Sequence, residues 1–502
     1  MKQARCLIDK NYIIDDINDE LFGSFIEHLG RAVYTGIYEP KHPTSDSKGF
    51  RHDVIKLVKE LDVPIVRYPG GNFVSGYNWT DGIGPAKSRP KRLDLAWHTI
   101  ENNSFGIDEF ADWARAAGTE IMAAVNLGTG TPQDAGYMVE YCNHPDGTYW
   151  SDLRVQNGHT EPHNIKTWCL GNEMDGHWQI CQLSAEDYAK KAREAAKIMK
   201  WVDPSIKLVA CGSSSSRMPS FPDWDRIVLE YLYDHVDYLS LHSYYEEEST
   251  TEDFLASFIN MDYLIRTVGG VIDFTKAKTG SKKNVKLSFD EWNIWYQKKQ
   301  SDHDWQSAPV MFEESYSLLD SLVMGGLLCT LLNNCDRVKM ASLAQLVNVI
   351  APITTKPGGG ILKQSTYYPF LQVSKYGRGK ALKVLSRTPV IETKQWGEAP
   401  LLQMAATMNE EAGSVTLFVL NTDINDSINL SLDMRSFGKT EIIEHLIMNG
   451  DNLEATNTFE NPEAVVPGYV PVNTHSNDGG VFNLNLQKLS WNTIRFSIPK
   501  AE

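Results

Sequence analysis

WCLGNE at residues 168–173 and LSFDEW at residues 287–292 are the two stretches that say most about the fold of this chain. Each is a run of strand-forming residues followed by a carboxylate. Enzymes built on a (β/α)8 barrel carry catalytic residues at the carboxyl ends of their strands. A pair of carboxylates from separate strands is also typical of enzymes that cleave glycosidic bonds, where one protonates the leaving oxygen and the other attacks carbon. The two stretches therefore predict a barrel enzyme with a carboxylate pair.

Short apolar runs alternate with helical patterns on both sides of these stretches, and such alternation predicts a parallel sheet. Helical periodicity is clear over residues 105–117 and 184–202. The eight predicted strands are residues 21–27, 64–68, 120–127, 165–171, 206–211, 238–242, 285–291 and 337–343. Eight such units closing on themselves predict an α/β fold, a (β/α)8 TIM barrel, over residues 16–378.

The pattern changes after about residue 379 to strands of period two separated by turn residues. The predicted strands there are residues 414–420, 428–433, 440–448 and 490–498. They indicate a C-terminal antiparallel β-sandwich domain over residues 379–502. A strand-like run within residues 1–15 precedes the barrel, and we expect it to pair with that sandwich. Residues 356–360, KPGGG, have the composition of a flexible loop within the barrel and not of a domain boundary.

Charge and composition exclude several classes of partner. The net charge is formally −16 with no basic cluster, which argues against nucleic acid and anionic membrane surfaces as partners. The 13 Trp and 21 Tyr suit aromatic-lined sites for a neutral ligand. The longest apolar stretch, residues 318–332, is interrupted by polar residues and too short to span a membrane, so it predicts a buried barrel helix.

The N-terminal residues lack the apolar core of a secretory signal, which favours a cytoplasmic protein. The seven cysteines are scattered and have no C-x-x-C spacing, so neither disulfides nor a zinc site is indicated. His159 and His163 have the spacing of a metal-binding pair, but Pro162 between them would break the helix that must carry both. The sequence therefore predicts no metal and no cofactor.

Five motifs in the barrel region resemble those of glycoside hydrolase family 51, the α-L-arabinofuranosidases. They are FGSFIEH (residues 22–28), RYPGGNF (67–73), GNEMDG (171–176), DEWN (290–293) and AQLVNVIAP (344–352). Their order and spacing cover the whole barrel, whereas the C-terminal region matches mainly in length and strand character. The resemblance implies a retaining, exo-acting enzyme that releases terminal α-L-arabinofuranosyl residues from arabinan- or arabinoxylan-derived oligosaccharides, and it suggests a homohexamer.

The resemblance also assigns roles to residues of this sequence. Glu173 is implied to be the general acid/base and Glu291 the nucleophile. A retaining mechanism needs the two carboxyl groups about 5 Å apart, where the charge of the nucleophile helps to hold a proton on its partner. The implied substrate-binding residues are Glu27, Arg67, Asn72, Trp97, Asn172, His242, Tyr244, Trp295 and Gln345. Among these, Arg67 is expected beside the nucleophile, Tyr244 is expected to hydrogen-bond it, and Asn172 is expected to bind the sugar 2-hydroxyl.

Structural interpretations of the same residues stay open. Asp290 precedes Glu291, and side-chain alternation does not show which of the two faces the barrel axis, although the family motif favours Glu291. Glu27 and Arg67 could form a purely structural salt bridge, because buried charges are costly unless paired. The aromatic residues could be packing residues of the barrel rim.

Two alternative functions stay open. The chain could be a related β-xylosidase or endoglucanase, or it could be a catalytically silent carbohydrate-binding barrel. The presence of both glutamates speaks against the silent barrel. His177 stands where Pro is common in the family, and residues 360–364, in the loop that starts at Gly358, replace a segment that often carries Trp. These departures leave the preferred linkage and leaving group open.

Overall fold

Eight parallel strands close into a barrel in the computed structural model, which describes residues 2–297, 303–471 and 479–499. We number these barrel strands 1 to 8 in chain order. They are Gly23–Phe25, Ile65–Tyr68, Glu120–Val125, Thr167–Leu170, Lys207–Ala210, Tyr238–Tyr245, Lys286–Ile294 and Val338–Ala344. Each pairs in parallel with its neighbours, and strand 8 pairs with strand 1. The predicted (β/α)8 barrel is confirmed.

The α-helices of the described residues lie mostly between these strands. They are His52–Leu61, Ile107–Ala117, Pro132–Asn143, Tyr149–Gln156, Ala185–Val202, Asp223–Leu232, Thr251–Leu255, Phe258–Thr279, Leu318–Asn333 and Tyr367–Tyr376. The helix Ala185–Val202 begins where the Ser184 side chain accepts a hydrogen bond from the Asp187 backbone N–H, as an N-cap serine does. None of the helices in the described ranges combines the length and hydropathy needed to cross a bilayer.

The barrel interior is filled by side chains, so ligands have access only at its ends. Met122 of strand 3, Val209 of strand 5 and Met340 of strand 8 pack together there. All three are almost completely buried. The carboxyl ends of the strands, where residues 171–173 and 291 lie, form the open face of the barrel.

The C-terminal domain is a β-sandwich whose strands, mostly antiparallel, form one continuous sheet of nine. In spatial order these strands are Gly468–Tyr469, Glu441–Asn449, Ser490–Ser497, Ser414–Asn421, Leu402–Asn409, Lys380–Arg387, Lys2–Asp16, Ile428–Asp433 and Val481–Leu486. Side chains from distant parts of this sheet, such as Ile8, Val419 and Phe482, share one apolar core. The sheet thus encloses its own hydrophobic interior.

The N-terminal strand Lys2–Asp16 belongs to this sheet and not to the barrel. It runs antiparallel to Lys380–Arg387 and parallel to Ile428–Asp433. The limits predicted for the domains, at residues 15 and 378, stay predictions, and their outer ends at residues 1 and 502 lie outside the described residues.

A buried helix contributes to the contact between the two domains. Leu318–Asn333 is buried on all sides because it packs between the barrel and the C-terminal sheet. A Cβ atom at Gly325 would lie 2.3 Å from the Trp491 ring, so only glycine allows this helix to approach the sheet so closely. The predicted buried barrel helix over residues 318–332 is therefore also one of the contacts between the domains.

Three short hairpins lie outside the barrel and the large sheet. They are Arg92–Asp94 with Thr99–Glu101, Ile353–Thr355 with Ile361–Lys363, and Val390–Thr393 with Gly397–Pro400. The glycine-rich residues 356–360 form the turn of the second hairpin, where the buried Arg51 donates hydrogen bonds to the carbonyls of Lys356 and Gly359. All seven cysteines lie in the described ranges and are free.

Candidate active site

Two buried carboxylates meet at the open face of the barrel. Glu173 follows strand 4 in a tight turn in which Gly171 and Glu173 both have positive φ, 89° and 43°. A positive φ at a non-glycine residue costs about 1–3 kcal/mol and recurs at active sites, where the surrounding structure holds it in place. Glu291 lies within strand 7 and is 5% exposed. An oxygen of Glu173 lies within 4.8 Å of an oxygen of Glu291, an approach that agrees with the short carboxyl separation of a retaining glycosidase.

The register of strand 7 shifts against strand 6 between Ser288 and Glu291, as at a β-bulge. Because a bulge breaks side-chain alternation, the two consecutive acidic residues there have different surroundings. Asp290 is 1% exposed and accepts hydrogen bonds from His242 and from the Cys169 thiol. Glu291 lines the cavity at the barrel mouth. The geometry therefore agrees with the family motif in favouring Glu291.

His242, at the end of strand 6, joins the acidic groups. Its Nδ1 lies 2.8 Å from Glu173 Oε1 and 3.6 Å from Glu291 Oε2, and its Nε2 lies 3.0 Å from Asp290 Oδ1. Burial alone would lower the pKa of His242, but the charge of Glu291 and the hydrogen bonds to Asp290 and Glu173 raise it to about 10. Both ring nitrogens therefore donate to protein carboxylates near neutral pH.

Arg67, at the end of strand 2, is the second buried cation. Its guanidinium donates to Glu291 Oε1 at 2.5 Å and to Asn172 Oδ1 at 2.7 Å. Arg67 thus pairs with the predicted nucleophile, and Glu27 has other partners. Burial raises the pKa of Glu291, the nearby Glu173 adds to the rise, and the charges of His242 and Arg67 oppose it.

Tyr244 supplies another hydrogen bond to the same carboxylate, from its hydroxyl to Glu291 Oε2 at 2.8 Å. Its ring packs edge-on against Trp295, with ring centroids 5.0 Å apart. The buried Trp295 indole N–H has no hydrogen-bond partner among the described residues, although the side chain lines the cavity. A buried donor without a partner is costly, so this N–H is a natural site for a ligand hydroxyl.

Glu27 follows strand 1 and also lines the cavity. Its Oε1 accepts hydrogen bonds from the Phe73 backbone N–H and from the Trp97 indole, each at 2.9 Å. Burial is the main cause that raises the pKa of Glu27 to about 8, so the carboxyl is protonated at neutral pH. Gln345 accepts a hydrogen bond from the Glu27 backbone N–H.

The cavity that these groups surround has a volume of about 580 Å³. Of the predicted site residues, Glu27, Asn72, Trp97, Glu173, Tyr244, Glu291, Trp295 and Gln345 line it. Arg67, Asn172 and His242 are almost completely buried and contact residues that line the cavity. All the predicted site residues are therefore brought together at one end of the barrel.

Two contacts around this site were not expected from the sequence. The Trp178 indole N–H donates to Glu173 Oε2 at 2.7 Å, and the Gln179 side chain donates to Asn72 Oδ1. A Cβ at Gly176 would lie 2.5 Å from the Trp178 ring, so the glycine makes room for the indole. The stretch GNEMDGHW could have indicated the Trp178 contact, because it places an aromatic residue five positions after Glu173.

Comparisons with known proteins agree with this geometry. The family description of the α-L-arabinofuranosidase 1 domain matches residues 57–261, and that of the α-L-arabinofuranosidase C-terminal domain matches residues 290–490. The chain is 52% identical to an "intracellular exo-α-(1→5)-L-arabinofuranosidase" of Halalkalibacterium halodurans, with 98% of each chain covered. It is 49% identical to a Bacillus subtilis protein named likewise, with 99% of each chain covered.

A solved structure of a family 51 α-L-arabinofuranosidase from Bifidobacterium longum is similar over 99% of this chain and 100% of that one. The TM-score is 0.94 and the identity is 43%. This chain belongs to the family 51 α-L-arabinofuranosidases. Family members are glycoside hydrolases, so the chain is an enzyme of the glycosidase class.

The carboxylate centre of this family 51 member also contains the residues that could hold a metal. Among the described residues, Glu173, His242 and Glu291 form the group whose ligand atoms are close enough together. A histidine that binds a metal must be neutral, whereas the pKa of His242 is raised to about 10. The guanidinium of Arg67 at 2.5 Å from Glu291 also repels a cation. These residues fit a metal poorly and fit proton transfer well.

Proposed function

We propose that the protein is a retaining, exo-acting α-L-arabinofuranosidase in which Glu173 is the acid/base and Glu291 the nucleophile. The observation that carries the proposal is the approach of these two carboxylates within 4.8 Å on one cavity. In the first step Glu291 attacks the anomeric carbon, the glycosidic bond breaks, and its oxygen takes a proton from Glu173. In the second step water gives a proton to Glu173 while its oxygen displaces Glu291, so the configuration is retained.

The neighbouring groups have distinct roles in this mechanism. Arg67, His242 and Tyr244 surround Glu291 with donors that favour its ionised form, which the attack requires. His242 also donates a hydrogen bond to Oε1 of Glu173. The proton that Glu173 gives to the leaving group is therefore carried by Oε2, the oxygen that Trp178 contacts. We regard His242 and Arg67 as positioning residues.

The remaining groups that line the cavity are proposed to bind the sugar. Protonated Glu27 can donate to one ring hydroxyl, Asn72 and Gln345 offer further polar groups, and Trp295 offers its N–H. Asn172 accepts a hydrogen bond from Arg67 and donates one to Asn72, and its bond to the sugar 2-hydroxyl is proposed from the family resemblance. Trp97 orients Glu27.

We propose substrates derived from arabinan or arabinoxylan, with terminal (1→5) linkages first among them, because two relatives are named for that linkage. The same names support a cytoplasmic location. The homohexamer implied by the resemblance stays a proposal that sedimentation analysis would test.

The deciding experiment uses Glu173→Ala. This variant should lose nearly all activity on arabino-oligosaccharides, whose alkoxide leaving group needs a proton, but should still form the glycosyl-enzyme from a nitrophenyl arabinofuranoside. Azide needs no general base, so it should restore turnover and give a glycosyl azide of retained configuration. The exposed rim residue Glu247 offers a matched control, because Glu247→Ala should behave like the wild type with and without azide.

An equal loss on both substrates without azide rescue, or a product of inverted configuration, contradicts these assignments. Faster cleavage of a nitrophenyl β-xyloside than of the arabinofuranoside by the wild type would favour the β-xylosidase alternative. No turnover of any glycoside would favour a binding protein.

A further inference from the structure

The cavity extends beyond the residues that surround one furanose ring. Cavities of about 300–1,000 Å³ hold drug-sized ligands, and this one measures about 580 Å³, more than one pentose requires. Its wall also includes Arg217, which follows strand 5, and Glu248, which follows strand 6. It further includes Gln395 and Trp396, which belong to neither the barrel strands nor their loops.

Gln395 and Trp396 form the turn of the hairpin Val390–Thr393 with Gly397–Pro400, which we call the tip hairpin. The tip hairpin extends from the C-terminal domain to the barrel mouth. There, the Gln395 backbone N–H donates to Asp253 Oδ1 at 2.9 Å and the Trp396 indole donates to the Asp253 carbonyl at 2.8 Å. Because Asp253 is 1% exposed and lies in the helix Thr251–Leu255, the turn is fixed to a rigid element.

Polar side chains continue from this turn along the cavity wall. The Gln395 side-chain amide donates to Glu248 Oε2 at 3.3 Å, and Glu248 forms a two-bond ion pair with Arg217 at 2.5 and 2.9 Å. The Arg217 side chain is 66% exposed, and ion pairs so exposed add little to stability. The arrangement offers donors and acceptors with balanced charge beside an indole ring, which suits the hydroxyls and the apolar face of a neutral sugar.

We propose that the tip hairpin is one wall of the site that binds the leaving-group sugar. The proposal rests on the arabinofuranosidase activity proposed above and deepens it. The arabinofuranose to be released lies between Glu27 and Glu291, and the next sugar of a neutral oligosaccharide lies toward Trp396, Gln395 and the Arg217–Glu248 pair. The C-terminal domain thus contributes directly to substrate choice.

The test compares kcat/KM on α-1,5-L-arabinotriose with kcat/KM on 4-nitrophenyl α-L-arabinofuranoside, whose leaving group lacks sugar hydroxyls. We expect Gln395→Ala to lower the ratio of the two constants about 3- to 10-fold, which is the effect of one lost hydrogen bond. Trp396→Ala should lower the ratio further, and Trp396→Phe should recover part of the loss because it keeps a ring. Lys394→Ala changes an exposed residue of the same turn that does not line the cavity, and it should leave both constants unchanged.

If the tip hairpin only fastened the two domains together, its variants would give a different result. Its variants would lower the thermal unfolding temperature and reduce both constants equally, so the ratio would not move. An unchanged ratio in Gln395→Ala and Trp396→Phe, both folded as judged by thermal unfolding, overturns the proposal. Failure of the wild type to release arabinose from either substrate would instead overturn the proposed function and this inference together.

Discussion

Replacing Glu27 with Gln tests the electrostatics of the cavity wall. The Glu27 carboxyl is 3% exposed, and burial raises its pKa from the ordinary 4.5 to about 8. In the unfolded chain the same carboxyl is in water and loses its proton near its ordinary pKa. Between pH 4.5 and 8 the folded protein therefore binds a proton that the unfolded chain has released.

The sign of the effect follows from proton linkage. Stability falls with rising pH wherever the folded state binds more protons, so Glu27 destabilises the fold progressively from about pH 4.5 to 8 and by a constant amount above that. A pKa difference from 4.5 to 8 corresponds to at most about 5 kcal/mol, at about 1.4 kcal/mol per pH unit. Glutamine has the same shape and cannot ionise, so Glu27→Gln removes this dependence.

Thermal unfolding of both proteins from pH 5 to 9 measures the difference. Unfolding entropy of about 2.1 cal/mol/K per residue gives about 1 kcal/mol/K for 502 residues, so the Tm of the variant relative to the wild type should rise by about 2–5 °C between pH 5 and 8. The rise should then level off. Glu247→Gln, at an exposed position, is the control and should shift Tm by an amount that does not depend on pH.

A Tm difference between Glu27→Gln and the wild type that is constant from pH 5 to 9 would refute the reasoning. A Tm of the variant that falls relative to the wild type as the pH rises would also refute it. Either result would mean that the Glu27 carboxyl is already ionised in the folded protein at pH 5.

Three further predictions concern the carboxylate centre. Glu291→Gln should lower turnover of every arabinofuranoside by several orders of magnitude because no covalent intermediate can form, and near-normal activity in this variant would eliminate the assignment. Arg67→Lys should lower kcat/KM at least about 100-fold, because the compact ammonium of a lysine lacks the planar fork whose two separate nitrogens reach Glu291 and Asn172. An effect below about threefold contradicts the positioning role. Prolonged chelator treatment should leave activity unchanged, and a loss restored by a divalent metal would show that Glu173, His242 and Glu291 bind an ion.

Local sequence patterns were sufficient to predict the barrel and the position of its two central carboxylates. Alternating strands and helices are short-range signals, and strands 4 and 7 carry Glu173 and Glu291 at the ends where a barrel exposes side chains. The choice between Asp290 and Glu291 could not be made from alternation, because the register of strand 7 shifts at this point.

Contacts between distant parts of the chain were not predictable in the same way. Arg67 and Glu291 are 224 residues apart, and nothing in either segment shows that they pair. The family resemblance alone placed Arg67 beside the nucleophile, and a salt bridge to Glu27 stayed open as the alternative. The docking of Gln395 on Asp253 spans 142 residues and joins two domains. Such pairs depend on how the barrel and the sheet are packed together, and a single sequence does not encode that as a local pattern.

The N-terminal strand has a consequence for how the protein is made. Lys2–Asp16 lies between Lys380–Arg387 and Ile428–Asp433, and the Lys2 side chain bonds to Asp423, 421 residues further along the chain. At about 5–20 residues per second, a ribosome needs roughly 20–80 s to produce that partner. During this time the first strand emerges with unpaired backbone groups while the barrel is being synthesised. The sheet of the C-terminal domain can therefore close only after Ile428–Asp433, Val481–Leu486 and Ser490–Ser497 have been synthesised, and until then the unpaired strand Lys2–Asp16 can associate with other chains.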